Sequence, residues 1–156
     1  MAPTATPTVP STGADRTSAD RATAERNARN ARNKQFVIDH FEEFVNRQNV
    51  DVVYRNMTSD FYDHDGADGK PADRDGARAM MAGLLQRVPD LKVRVIAAVA
   101  EGDFVMVRNQ WTGTNAQTGR RVEFHGFVQW RFEGGKLAER WATVTAPHEA
   151  TGDVQW

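Results

Sequence analysis

The stretch Arg121-Val122-Glu123-Phe124-His125-Gly126-Phe127-Val128-Gln129-Trp130-Arg131-Phe132 decides the fold class. Successive side chains of a strand point to opposite faces, so residues two apart share a face. Glu123, His125, Phe127 and Gln129 then fall on one face, and Phe124, Gly126, Val128, Trp130 and Phe132 on the other. The second face is largely apolar and must pack on helices or in a core. The first mixes polar and apolar groups and faces either a ligand pocket or solvent.

Outward from this stretch, Glu133-Gly134-Gly135 and residues 115–119 are turn sequences. Beyond them, residues 136–145 and 104–114 read as further strands. Glu101-Gly102-Asp103 makes a tight turn into residues 91–100, where Leu91, Val93 and Val95 alternate. The first half of the chain has a different period. Val37, Ile38, Phe41, Phe44 and Val45 recur at three- and four-residue spacing, which predicts an amphipathic helix from about residue 34. A shorter helix is expected over residues 50–57, on Val50, Val53, Tyr54 and Met57. A third is expected over 75–88, with Asp75 as its N-cap and Pro89 as its stop. A short strand at 60–64 lies between the second and third helices. The order ααβαββββ implies an α+β fold, an antiparallel sheet packed against helices. The long, tryptophan-bearing strands imply strong curvature. The sheet becomes a cone wrapped around the N-terminal helices, and its interior is a natural ligand pocket.

The chain has 156 residues, 20 Lys+Arg against 21 Asp+Glu, and a formal net charge of −1. That balance gives no electrostatic basis for binding nucleic acid. Zero cysteines exclude disulfides, thiolate catalysis and Cys-ligated metal, and fit a cytoplasmic protein. Residues 1–30 read as a disordered or partly helical polar tail, 31–148 as one domain and 149–156 as a C-terminal tail. The first 20 residues hold three of the six prolines and too little apolar surface to offset ordering. Residues 21–34, rich in Ala, Arg, Asn and Glu, can extend the first helix. No signal peptide or membrane-spanning stretch is read.

No phosphate loop, dinucleotide fingerprint, zinc-protease motif or nucleophile elbow is present. The polar residues that stand on strands are therefore the candidates for chemistry. His125 can act as acid or base near neutral pH. Glu139 shares a face with Leu137, Trp141 and Thr143. It is either half-exposed or enclosed, and an apolar enclosure would raise its pKa. His64 ends the short first strand. Asp63 and His64 point to opposite faces and cannot easily share a metal, so no metal site is assigned. Arg108, if buried, needs Glu123 or Glu139 as a partner. His40 reads as a structural or surface residue.

Residues 34–146 resemble the SnoaL-like polyketide cyclases of the nuclear transport factor 2-like superfamily. The resemblance runs through Phe44-Val45-Asn46-Arg47-Gln48-Asn49, Asp60-Phe61-Tyr62-Asp63-His64 and Asp75-Gly76-Ala77-Arg78. It continues through Pro89-Asp90-Leu91, Glu101-Gly102-Asp103, Trp111-Thr112-Gly113-Thr114 and Gly119-Arg120-Arg121-Val122. It ends in Gly135-Lys136-Leu137-Ala138-Glu139-Arg140-Trp141. The resemblance implies a cone-shaped barrel with a deep pocket, and a homodimer paired through the sheets. It also implies ring closure by intramolecular aldol condensation of a polyketide-like substrate, as in antibiotic biosynthesis, with no cofactor and no metal. By position, Glu139 matches the acid/base carboxylate, which is Asp in the characterised cyclases. His125 matches its partner and His64 the pocket histidine. Tyr62, Phe127, Gln129, Arg108 and Trp141 are the candidate substrate-binding residues. The alternatives are a non-catalytic small-ligand binding domain and a ketosteroid-isomerase-like isomerase. Epoxide hydrolases on this fold use an Asp-Arg-Asp set to activate water, which the sequence does not place around Arg108. The cyclase reading requires His64, His125 and Glu139 to meet in one enclosed pocket.

Overall fold

The computed structural model describes residues 12–146 and 148–149. The first helix, α1 (Thr12–Phe41), runs on into a π-helical turn, Glu42–Asn46. Its C-terminal part buries Val37, Phe41, Phe44 and Val45, the positions whose spacing announced it. The helix begins at Thr12, inside the segment expected to be disordered. Residues 15–29 of it are exposed, carried by the helix propensity of Ala, Arg and Glu without an apolar face. Residues 1–11 lie outside the described residues, as does the expected C-terminal tail apart from Glu149.

A 3₁₀ turn, Val50–Val52, leads into the single-turn helix α2 (Val53–Asn56). Strand β1 (Met57–Asp63) follows, and then α3 (Arg74–Arg87). Asp73, not Asp75, caps α3: its carboxylate accepts from the Gly76 N–H at 2.8 Å. Asp75 instead accepts from the Tyr54 hydroxyl at 2.7 Å, tying α2 to α3. The remaining strands are β2 (Lys92–Glu101), β3 (Phe104–Thr114), β4 (Arg121–Glu133), β5 (Lys136–Val144) and the two-residue β6 (His148–Glu149). They form an open, curved sheet in the order β1-β5-β4-β3-β2, with β6 added beside β4.

The sheet is mixed rather than wholly antiparallel. The hairpins from β2 to β5 are antiparallel, but β1 joins β5 in parallel, pairing Tyr62 with Glu139 and Asp63 with Arg140. The inner face buries Val105, Val107 and Trp111 of β3 and Phe124, Val128, Trp130 and Phe132 of β4. These pack against α1 and α3 in one core. The Asn46 side chain, at the end of the π turn, bonds both backbone groups of Val93, donating at 3.0 Å and accepting at 2.8 Å. It thereby serves β2 as a one-residue neighbouring strand. Among the described residues, no helix is long and apolar enough to cross a membrane.

Candidate active site

Asp63 closes β1 opposite Arg140 of β5, and both side chains point inward. Arg140 Nη1 donates to the two Asp63 carboxylate oxygens at 2.9 and 2.8 Å. The Asp65 backbone N–H adds a third bond, to Asp63 Oδ1, at 3.0 Å. A wholly buried carboxylate is tolerated only when it is paired and hydrogen-bonded, and these bonds meet that need. Arg140 Nη1 also donates to the Asp65 carbonyl at 3.2 Å, and its guanidinium lies over the Trp130 ring at 5.8 Å. Asp65 Oδ2 accepts from the Ala142 N–H at 2.8 Å. Arg140 is therefore held by the Asp63 carboxylate and the Asp65 main chain, while the Asp65 carboxylate is tied to β5 through Ala142. Among the described residues, Asp65 Oδ1 and Arg140 Nε and Nη2 have no hydrogen-bond partner.

These three residues are the charged part of a cavity of about 250 Å³ between α3 and the inner sheet face. Phe41, Phe44, Trp111, Phe124 and Trp130 supply aromatic wall, and Met80, Met81 and Leu84 of α3 close the opposite side. Such a site pairs a preformed apolar enclosure with a few convergent polar groups. Charged groups at its wall act with more force than they would in water. Among the described residues, no group of three or more His, Asp or Glu is arranged to hold a metal ion.

The eight residues singled out from sequence stand elsewhere. His64, Glu139 and Trp141 alternate with Asp63 and Arg140 along β1 and β5, so they project from the outer face. There, His64 Nε2 lies 2.9 Å from Glu139 Oε2. The His64 ring stacks on Trp141 at 4.5 Å and meets Tyr62 edge-on at 4.6 Å. Glu139 Oε1 accepts from Arg131 Nε at 2.6 Å. The bonds from His64 and Arg131 hold the Glu139 carboxyl below the usual carboxylate range. His125 is part of a different group: its Nε2 lies 3.0 Å from Glu123 Oε1, which also accepts from Gln110 Nε2 at 2.9 Å. Phe127, Gln129 and Arg108 occupy the same outer face, with Phe127 opposite Arg108 in register.

None of the eight lines the cavity. The expected meeting of His64, His125 and Glu139 resolves into two separate pairs outside it, His64 with Glu139 and His125 with Glu123, so a cyclase reading built on those three residues does not meet its own condition and ring closure would need another set. The reason is parity. The mixed face of β4 was open to reading as a pocket wall, whereas the cavity opens against the apolar face. Asp63, Asp65 and Arg140 stand in the polar stretches around His64 and Glu139 but were given no catalytic or binding role. Arg140 carried a usable signal, because it shares its face with Ala142 and Val144, and an arginine on an apolar strand face needs a buried acid.

Comparison with known proteins agrees with this architecture. A family model described as SnoaL-like polyketide cyclase matches residues 35–145. The structure of AclR, a proposed hydroxylase from Streptomyces galilaeus, is similar at 25% identity over 78% of this chain and 90% of that one, with a TM-score of 0.64. The proposed polyketide cyclase IdmH from Streptomyces antibioticus shares the fold at 23% identity over 70% and 89% of the two chains, with a TM-score of 0.64. A proposed SnoaL-like polyketide cyclase from Jannaschia sp. CCS1 does so at 23% identity over 74% and 86%, with a TM-score of 0.66. No curated protein sequence matches the chain significantly.

Proposed function

The chain belongs to the SnoaL-like polyketide cyclase family, and from that premise we propose that it closes a ring in a polyketide-like carbonyl substrate by cofactor-independent acid/base chemistry. The observation that carries the reading is the Asp63–Arg140–Asp65 set opening into an otherwise apolar cavity. Asp65 Oδ1 takes a proton from the carbon next to a carbonyl. The resulting enolate oxygen is met by the uncommitted N–H groups of Arg140, which Asp63 holds in place. The enolate carbon attacks a second carbonyl of the same folded molecule and forms the new C–C bond. The alkoxide then recovers the proton from Asp65. The aromatic wall holds the two reacting carbons together, which is the main entropic advantage of such a site.

The test follows the proton. β-Tetralone, a flat bicyclic ketone, is incubated with the protein in heavy water, and exchange at the carbon next to its carbonyl is followed by NMR. Asp65→Asn should slow the catalysed exchange by about a hundredfold or more. Full exchange by that variant would sink the mechanism. Binding of the ketone without catalysed exchange by the native protein would support a ligand-binding domain instead.

A second reading has its own observation. Arg140 bonds the Asp63 carboxylate and the Asp65 main-chain carbonyl, and the Asp65 carboxylate lines the same cavity, so two acids and an arginine are available there to activate water. Hydrolysis of an epoxide would place oxygen from heavy-oxygen water in the product, whereas an intramolecular aldol closure would not.

The same premise supports a homodimer paired through the outer sheet face. Phe127 is 55% exposed there, and Tyr62, Phe104 and Met106 are exposed on the same face. Phe127→Glu should convert the dimer to monomers in light scattering. A native protein that is already monomeric would end the proposal.

A further inference from the structure

The cavity pair and the outer-face pair stand back to back. Asp63 and Arg140 face inward, while their chain neighbours His64 and Glu139 face outward and meet 2.9 Å apart. Between the two pairs lies the backbone bond from the His64 N–H to the Arg140 carbonyl, at 2.9 Å. The outer pair is anchored onward to β4, since Glu139 Oε1 accepts from Arg131 Nε at 2.6 Å. Trp141 of β5 stacks on His64 from the side.

β1 needs such an anchor. It is an edge strand whose register with β5 shifts between Met57 and Tyr62, and on its other side its end is held, among the described residues, only by the Asp63–Ala72 backbone bridge, at 2.7 and 2.9 Å. A one-residue slip in register turns every side chain to the other face. Such a slip would carry Asp63 out of the cavity and leave Arg140 without its acid.

We propose that His64, Glu139 and Arg131 form a positioning network, which fixes the end of β1 against β5 and thereby holds Asp63 and Arg140 in working geometry. This rests on the reading of Asp63, Asp65 and Arg140 as the site. Glu139 and His64 touch no substrate in it. A carboxyl held below its usual range by an arginine and a histidine suits a fixed acceptor and does not suit a group that must trade protons. The network joins three strands through side chains alone, and its members come from the sheet's edge, its neighbour and the strand beyond.

Glu139→Ala and Glu139→Gln separate positioning from proton transfer. Gln keeps an acceptor for Arg131 and an amide group within bonding reach of His64 Nε2, and Ala keeps neither. Two readouts are taken. One is the kcat and KM for hydrogen exchange of β-tetralone. The other is NMR of the Arg140 guanidinium nitrogens, assigned with Arg140→Lys, which reports how tightly Asp63 holds that group. Thermal melting confirms that each variant is folded. Glu139→Ala should lower kcat about tenfold with KM nearly unchanged, and Glu139→Gln should recover most of that loss. The Arg140 signals should show faster side-chain rotation in Glu139→Ala and return toward native behaviour in Glu139→Gln.

An equal loss of about a hundredfold or more in both variants would make Glu139 itself the proton-transfer group and overturn the proposal. Arg140 signals that do not move in Glu139→Ala would overturn it as well. Failure of the site reading looks different. There, Asp65→Asn exchanges β-tetralone normally, while the Arg140 spectrum of Glu139→Ala still reports the coupling.

Discussion

His40 is wholly buried, and its Nδ1 lies 3.1 Å from the amide nitrogen of Asn56. Arg55 Nε donates to Asn56 Oδ1 at 3.2 Å, which fixes the amide with its nitrogen toward the ring. His40 Nδ1 therefore accepts, and the imidazole is the neutral tautomer protonated at Nε2. Its ring stacks on Phe44 at 5.1 Å and meets Trp130 edge-on at 5.5 Å, so it belongs to the core behind the cavity. The expectation of a structural or surface histidine resolves to the structural one.

Burial pushes the His40 pKa down to about 3 from an unfolded value of 6.5. Below the unfolded value, the unfolded chain binds a proton that the folded chain refuses. Stability is thus complete above the unfolded value and lost as pH falls toward the folded one. The loss is of order 5 kcal/mol across that window, at about 1.4 kcal/mol per unit. Urea unfolding across this range should show the slope, and His40→Phe should remove most of it. An unchanged slope in the variant would refute the assignment.

Asp90 gives a second, lower window. The Thr114 N–H and hydroxyl donate to it at 2.6 and 2.8 Å and hold its carboxyl below the usual carboxylate range. Here the stability is present above the unfolded carboxylate value and lost as pH falls through the folded one. Asp90→Asn should flatten the acid limb below about pH 4 and leave the histidine window unchanged. A variant whose acid limb matches the native one would rule the tie out.

Removing Asp63 strands a guanidinium in the wall. Asp63→Ala should cost about 3–5 kcal/mol in denaturant unfolding, because an unpaired buried charge is worse than no pair at all. The double variant Asp63→Ala/Arg140→Met should recover part of that loss. Additive losses would show that the two residues do not act as a pair.

Gly113 sits where β3 passes under the α3–β2 connection. A Cβ there would stand 2.2 Å from Val88 Cγ1 and 3.3 Å from the Leu91 backbone. Gly113→Ala should lower stability by about 1–3 kcal/mol, as overpacking does, and should lower the melting temperature accordingly. An unchanged melting temperature would mean that the turn yields.

The strands were legible because period and turn chemistry agree. The Gly134-Gly135 hairpin and the alternation around Trp130 place β4 and β5 within a residue of their observed ends. The burial of Val37, Phe41 and Phe44 follows from their helical spacing for the same reason. The parallel joining of β1 to β5 was not legible, since nothing local in either strand specifies a partner so distant. Nor was the cap of α3, because Asp73 and Asp75 are both good capping residues and only the backbone path selects between them. Which polar residues line the cavity turned on the same kind of choice. Alternation sorts His64 and Glu139 from Asp63 and Arg140 correctly, but it does not say which set faces the helices.

The parallel joining of β1 to β5 also gives the cavity a time of assembly. Asp63 and Arg140 stand 77 residues apart, and while the chain is being synthesised the acid emerges long before its cation. The four strands from β2 to β5 close through short turns, whereas β1 must wait for the last of them and accept the largest loop-closure cost. Until then, α3 has no finished wall to cover, and the apolar lining stays open to water. An intact Asp63–Arg140 contact therefore marks a chain that has been made through β5, and a truncated product cannot form it.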